Sequence, residues 1–74
     1  MNLGMLWFDN DKDTNLETKI AKAATYYRGK YGTEPNMVFV NPKTLGEAAP
    51  NVLGFQVKST RSILPNHLWM GVSE

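Results

Sequence analysis

Two apolar runs of four residues, Met5 to Phe8 and Met37 to Val40, flank one amphipathic stretch, and the segment 42–53, also available to cover them, is small and rather polar. Successive side chains of a strand point to opposite faces, so each run puts large apolar groups on both sides of any sheet it joins. The stretch between them reads as helix. Leu16, Ile20, Ala23, Ala24, Tyr27 and Tyr31 fall within less than about a third of the circumference at roughly 100° per residue. One helix shields one face of a sheet, so a chain built this way has a covering problem from the outset.

The helix has readable ends. Thr14-Asn15-Leu16-Glu17 has the form of a capping box, with the threonine hydroxyl on the Glu17 amide. Gly32 follows the last apolar position, with Arg28 and Lys30 in the final turn, where cations meet the negative end of the dipole. A helix over 15–31 is therefore expected. Gly29 near its end suggests fraying or a close neighbour.

Ahead of the helix, Gly4 to Phe8 reads as a short strand buried on both faces. Past Glu34-Pro35-Asn36, Met37 to Val40 is a second strand, ended by Asn41-Pro42, where Asn suits a cap and Pro the first helical position. A short helix over 42–48 stopped by Pro50 follows. Phe55, Val57 and Ser59 then alternate with Gln56, Lys58 and Thr60, the mark of a half-exposed strand with Ser59 to Ser62 as its exit. After the turn-forming Pro65-Asn66, His67 to Val72 reads as a closing strand, in which Gly71 hints at a bulge or close packing.

Strand, helix, strand implies a right-handed crossover with both strands parallel in one sheet. The expected fold is a single small α/β (α+β) domain over 1–74, β-α-β-β-β in order, with one long helix on a mixed sheet of about four strands. A chain of 74 residues with no cysteine has neither a disulfide nor a thiolate metal site to reinforce a small core. Self-association is the expected reinforcement, through a two-fold partner that buries Trp7 or Trp69. A net charge of +1 gives no electrostatic footprint for nucleic acid or anionic membrane by itself. No apolar run approaches the roughly 20 residues of a membrane span, and no leader pattern opens the chain, so a cytoplasmic protein is expected.

Three groups of residues invite a chemical reading. Asp9-Asn10-Asp11-Lys12-Asp13 imitates the start of an EF-hand loop, but Thr14 stands where Gly is needed and Ile20 where a bidentate Glu is needed. Asp9 and Asp11 survive as candidate metal ligands at a strand's carboxyl end; the plain reading is helix capping and loop solvation. His67, the only histidine, has Ser59, Thr60 and Ser62 nearby in sequence and Asp9 within conceivable reach, without a nucleophile-elbow pattern. Lys19, Lys22, Tyr26 and Lys30 form a stripe about 110° from the apolar face, able to follow a phosphate backbone while Tyr26 stacks on a base. Lys58 and Arg61 extend it only if the fold sets them alongside.

The segments "LWFDND", "AATYYRGKYGTEPN", "VNP" and "ILPNHLWMGV" together resemble a group of small uncharacterised bacterial proteins over nearly the whole chain. The resemblance implies no activity, ligand or catalytic residue. From the residues themselves, a non-catalytic interaction or assembly module that self-associates is expected, with no cofactor. The alternatives are a nucleic-acid-binding accessory protein using the basic helix stripe, and a metal-dependent enzyme at the Asp9/Asp11 loop.

Overall fold

The computed structural model describes residues 4–46 and 54–73. Its elements are β1 (Gly4–Phe8), α1 (Leu16–Tyr31), β2 (Met37–Val40), α2 (Pro42–Leu45), β3 (Gln56–Ser59) and β4 (His67–Gly71). They form the expected α+β arrangement, with one long helix and a mixed four-stranded sheet of order β1-β4-β2-β3. β1 and β2 run in the same direction but are not paired with each other. The last strand, β4, lies between them and pairs antiparallel with both, while β3 joins β2 in parallel.

The core follows from the helix period meeting the strand period. Ile20, Ala23, Ala24 and Tyr27 of α1 pack on Met5 of β1, Val38 and Val40 of β2, and Leu68 and Met70 of β4. Ile20, Ala23, Tyr27, Val38, Val40 and Met70 are fully enclosed, each large side chain among them contributing about 1.5–3 kcal/mol by leaving water. Alanines at two of the helix positions let α1 approach the sheet closely. Burial in this layer pushes the Tyr27 phenol above its ordinary pKa, because ionisation there would strand a charge in an apolar setting.

The helix start differs from the capping-box expectation. Asn15 is the N-cap, its side-chain oxygen accepting the Thr18 N–H at 2.8 Å. The Thr14 hydroxyl instead donates to Asp11 Oδ2 at 2.6 Å, so the loop acid has drawn it away from the helix. The end is as expected: Gly32 sits at φ 68°, and its N–H returns to the Arg28 carbonyl, a left-handed conformation that glycine adopts without strain. Gly29 lies inside an unbroken helix, and a Cβ there would meet nothing; the structure gives no packing reason for it.

Asn41 caps α2, accepting the Lys43 N–H at 2.8 Å and donating to the Ile63 carbonyl at 2.7 Å, so one side chain starts a helix and pins the β3–β4 loop. α2 closes at Leu45 with Gly46 as its cap, where a helix over 42–48 is expected; residues 47–50, with Pro50, lie outside the described residues. The Pro65-Asn66 turn forms with Asn66 at φ 67°, and its backbone is tied on both sides, by Thr44 and by Asp9. Gly71 marks close packing: it is buried between Gly4 on one side and Met37 on the other.

β1 departs from the reading of a strand buried on both faces. It is an edge strand. Met5 and Trp7 turn toward α1, whereas Leu6 and Phe8 turn away and remain 59% and 57% exposed. Gly4, on the same outward side, leaves space for the Trp69 indole, which occupies the volume a Cβ would need.

Two substitutions check this account. Asn15→Ala is expected to lower the stability measured by urea unfolding by about 1 kcal/mol, and Thr14→Ala by clearly less, because only the former removes the cap. Gly4→Val is expected to cost about 1–3 kcal/mol through overpacking against Trp69, with a shift in tryptophan emission as that ring is displaced.

Candidate functional site

The sheet has two unlike faces. On the side away from α1, register sets Leu6, Trp69, Phe39 and Lys58 side by side in a row crossing all four strands. Beside that row, Phe8 faces His67 with ring centroids 4.9 Å apart, and the Phe39 and Trp69 rings stand 6.1 Å apart, distances at which tilted aromatic pairs add about 0.5–1.5 kcal/mol each. The β3–β4 loop rises at one end and closes a shallow cavity of about 320 Å³ lined by Leu6, Ser62, Ile63, Leu64, His67 and Trp69. Leu64 at its rim is 66% exposed. Lys58 is the single formally charged residue on this face among the described strand positions. Apolar and aromatic groups with few charges are the composition of the buried centre of protein interfaces.

Of the two tryptophans expected at an interface, Trp69 lies on this open face. Trp7 lies on the other. It packs against the helix, with its ring 5.3 Å from that of Tyr26. Its indole nitrogen is the one buried side-chain polar atom without a hydrogen-bond partner among the described residues, a cost of about 1–3 kcal/mol at a site where the apolar fit outweighs it.

The basic stripe on α1 is partly committed elsewhere. Lys19 is buried at 9% exposure, with its ammonium donating to the Asp9 carbonyl at 3.2 Å, so it ties the loop after β1 to the helix. Lys30 stands 5.4 Å over the Tyr31 ring, and Tyr26 leans on Trp7. Lys22 is exposed. Lys58 belongs to the opposite face of the sheet, beside Phe39, so the fold does not bring it alongside this stripe.

The aspartates organise their own loop. Asp9 Oδ1 accepts the Asp11 N–H at 3.0 Å, and Asp11 Oδ1 accepts the Asp13 N–H at 2.9 Å, a repeated Asx-turn that leads the chain into α1. Among the described residues no group of three or more His, Asp or Glu is arranged to hold a metal ion. The Thr14 hydroxyl, then the Asp13 N–H, hold the Asp11 carboxyl below its ordinary pKa of 3.8. His67 Nδ1 lies 2.9 Å from the Pro65 carbonyl; a carbonyl only accepts, so this nitrogen is the donor of the bond. Ser62 shares the cavity with His67, while its N–H donates to the Thr60 hydroxyl at 3.2 Å. Both are engaged in turns of the β3–β4 loop.

No helix among the described residues is long and apolar enough to cross a membrane. Comparison with protein-family models, with curated proteins and with solved structures finds no match to this chain.

The Asp11 bonds carry a pH signature. A carboxyl lowered in the folded loop contributes order that is present above the ordinary value of 3.8 and is lost as pH falls through the lower folded value. An NMR titration is expected to place the Asp11 midpoint below that of an unstructured aspartate. Thr14→Ala, which removes the largest cause, is expected to move it back upward.

Proposed function

We propose that this chain is a non-catalytic interaction module that self-associates through the part of its sheet that α1 leaves uncovered. The observation that carries the reading is the apolar surface on the side of the sheet away from α1: Leu6 and Phe8 on the edge strand, next to the half-buried Phe39 and Trp69 of the inner strands, with Lys58 as the only charge among the strand positions. Exposed large apolar side chains occur singly on any protein, but a contiguous group of them marks a surface that another molecule covers. A second copy is the simplest such molecule, because a two-fold contact is self-complementary and closes at two chains.

The nucleic-acid reading has less behind it. Lys19 is withdrawn into the fold, and the aromatic member of the stripe leans on Trp7, so the groups that would track a phosphate backbone are reduced chiefly to Lys22 and Lys30. The metal reading rests on two carboxylates already accepting loop N–H groups.

Light scattering on a size-exclusion column tests the reading. The expected result is a mass of two chains at tens of micromolar, falling toward one chain in the double variant Leu6→Ser, Phe8→Ser, with an unchanged circular dichroism spectrum as the check that the fold is retained. A single-chain mass for the unaltered protein across that range overturns it. Labelled single- and double-stranded oligonucleotides at low salt are the companion measurement: binding that weakens steeply with salt would favour the basic stripe instead.

A further inference from the structure

We infer that the second copy joins edge to edge, β1 against β1 about a two-fold axis at Leu6, giving one continuous sheet of eight strands. The inference rests on the self-association proposed above and names its geometry. It begins with the Asp9 N–H, which donates to the Asn66 carbonyl at 2.9 Å, in line with the β1–β4 register. Hydrogen-bonding residues alternate along an antiparallel strand. Asp9, Trp7 and Met5 therefore direct their backbone groups at β4, and Gly4, Leu6 and Phe8 direct theirs outward from the sheet. Three residues present three N–H and three C=O groups at that edge.

A two-fold axis at Leu6, the middle residue of Gly4–Phe8, matches these groups completely. Leu6 meets the partner's Leu6, Gly4 meets the partner's Phe8, and Phe8 meets the partner's Gly4. Every outward N–H then faces an outward C=O. The side chains agree with the backbone. Gly4 has no side chain and is roofed by the Trp69 indole, so the partner's exposed Phe8 would come to rest beside that ring, extending the row of aromatic groups across the axis. Large opposite small is the pairing that lets an aromatic group shield a glycine in a neighbouring strand.

Charge distinguishes the two edges. Natural sheets discourage edge pairing with lysine, proline or a bulge. The outer strand β3 carries Lys58 and Gln56, whereas β1, GMLWF, carries no charge and no proline, and keeps unbroken register with β4. Two uncharged edges meet without repulsion. The helices also allow it. α1 packs most closely over β4, and β4 and the partner's β4 would be three strand spacings apart, about 14 Å, more than the 8–10 Å of directly packed helices.

Amide exchange and cross-linking test the geometry on the full chain. In a lone subunit the Leu6 and Phe8 amides point to water; in the paired edge they are hydrogen-bonded, so their exchange is expected to slow at least about tenfold between dilute and concentrated samples. Leu6→Cys supplies the only thiol of the chain, and opposed residues in such a pair have Cα atoms about 5.5 Å apart, within disulfide reach. Mild oxidation is expected to convert this variant to a covalent dimer, and Lys58→Cys on the other edge to remain single. Leu6→Lys, a charge placed on an exposed strand position, is expected to weaken the dimer at least about tenfold while leaving the circular dichroism spectrum unchanged. A dimer by light scattering whose Leu6 and Phe8 amides stay unprotected, and whose Leu6→Cys variant does not cross-link, overturns the edge geometry and leaves self-association standing. A single-chain mass at every concentration overturns both.

Discussion

The fold turns on how many faces one helix can cover. α1 presents a stripe about a third of its circumference wide, and that stripe is spent on Met5, Val38, Val40, Leu68 and Met70. Everything else in the molecule is arranged around the face that remains. Trp69 lies against a glycine, the Phe39 and Trp69 rings stand together, and the β3–β4 loop brings Ile63 and Leu64 to the rim. These devices reduce the exposed apolar surface on the inner strands. They do not reach the edge, where Leu6 and Phe8 stay in water.

A second constraint is set by the polar loops, which do structural work with the groups that resemble chemistry. Asp9 and Asp11 turn the chain toward the helix, Lys19 ties that turn back to the body of the protein, Asn41 joins two loops, and His67 is held by the turn that precedes it. Water competes for the bonds at the surface; the part-buried ones, Lys19 to the Asp9 carbonyl and Asn41 to the Ile63 carbonyl, contribute about 0.5–1.5 kcal/mol each, a noticeable share of the stability that a small domain has.

Much of this was legible in the residues. The period of Leu16, Ile20, Ala23, Ala24, Tyr27 and Tyr31 placed α1 to within a residue, Asn41-Pro42 placed α2, and the alternation after Gly54 separated Val57 from Lys58 correctly. The doubly apolar runs announced that one face would lack cover. Less could be read where several groups compete for the same atoms. Thr14 matches a capping box, but Asp11 and Asn15 are equally local competitors, and only the folded loop shows Asp11 taking the Thr14 hydroxyl and Asn15 taking the cap. Lys19 looked like part of a solvated stripe because its partner, the Asp9 carbonyl, is ten residues back along the chain. Strand order was beyond reach, and with it the edge position of β1; so was the choice of which face of β1 the helix covers, which decides that Leu6 and Phe8, rather than Trp7, are the outward groups.

The central place of β4 has a kinetic consequence. β1 and β2 are not paired with each other; in the sheet they are joined through β4, the last of the described strands, residues His67–Gly71. Until that segment has left the ribosome, α1 has no completed surface to settle on, so the early part of the chain waits as a helix with two loose ribbons. Contacts between segments this far apart in sequence form slowly, and collapse is expected as one late event, not as a succession of stable pieces.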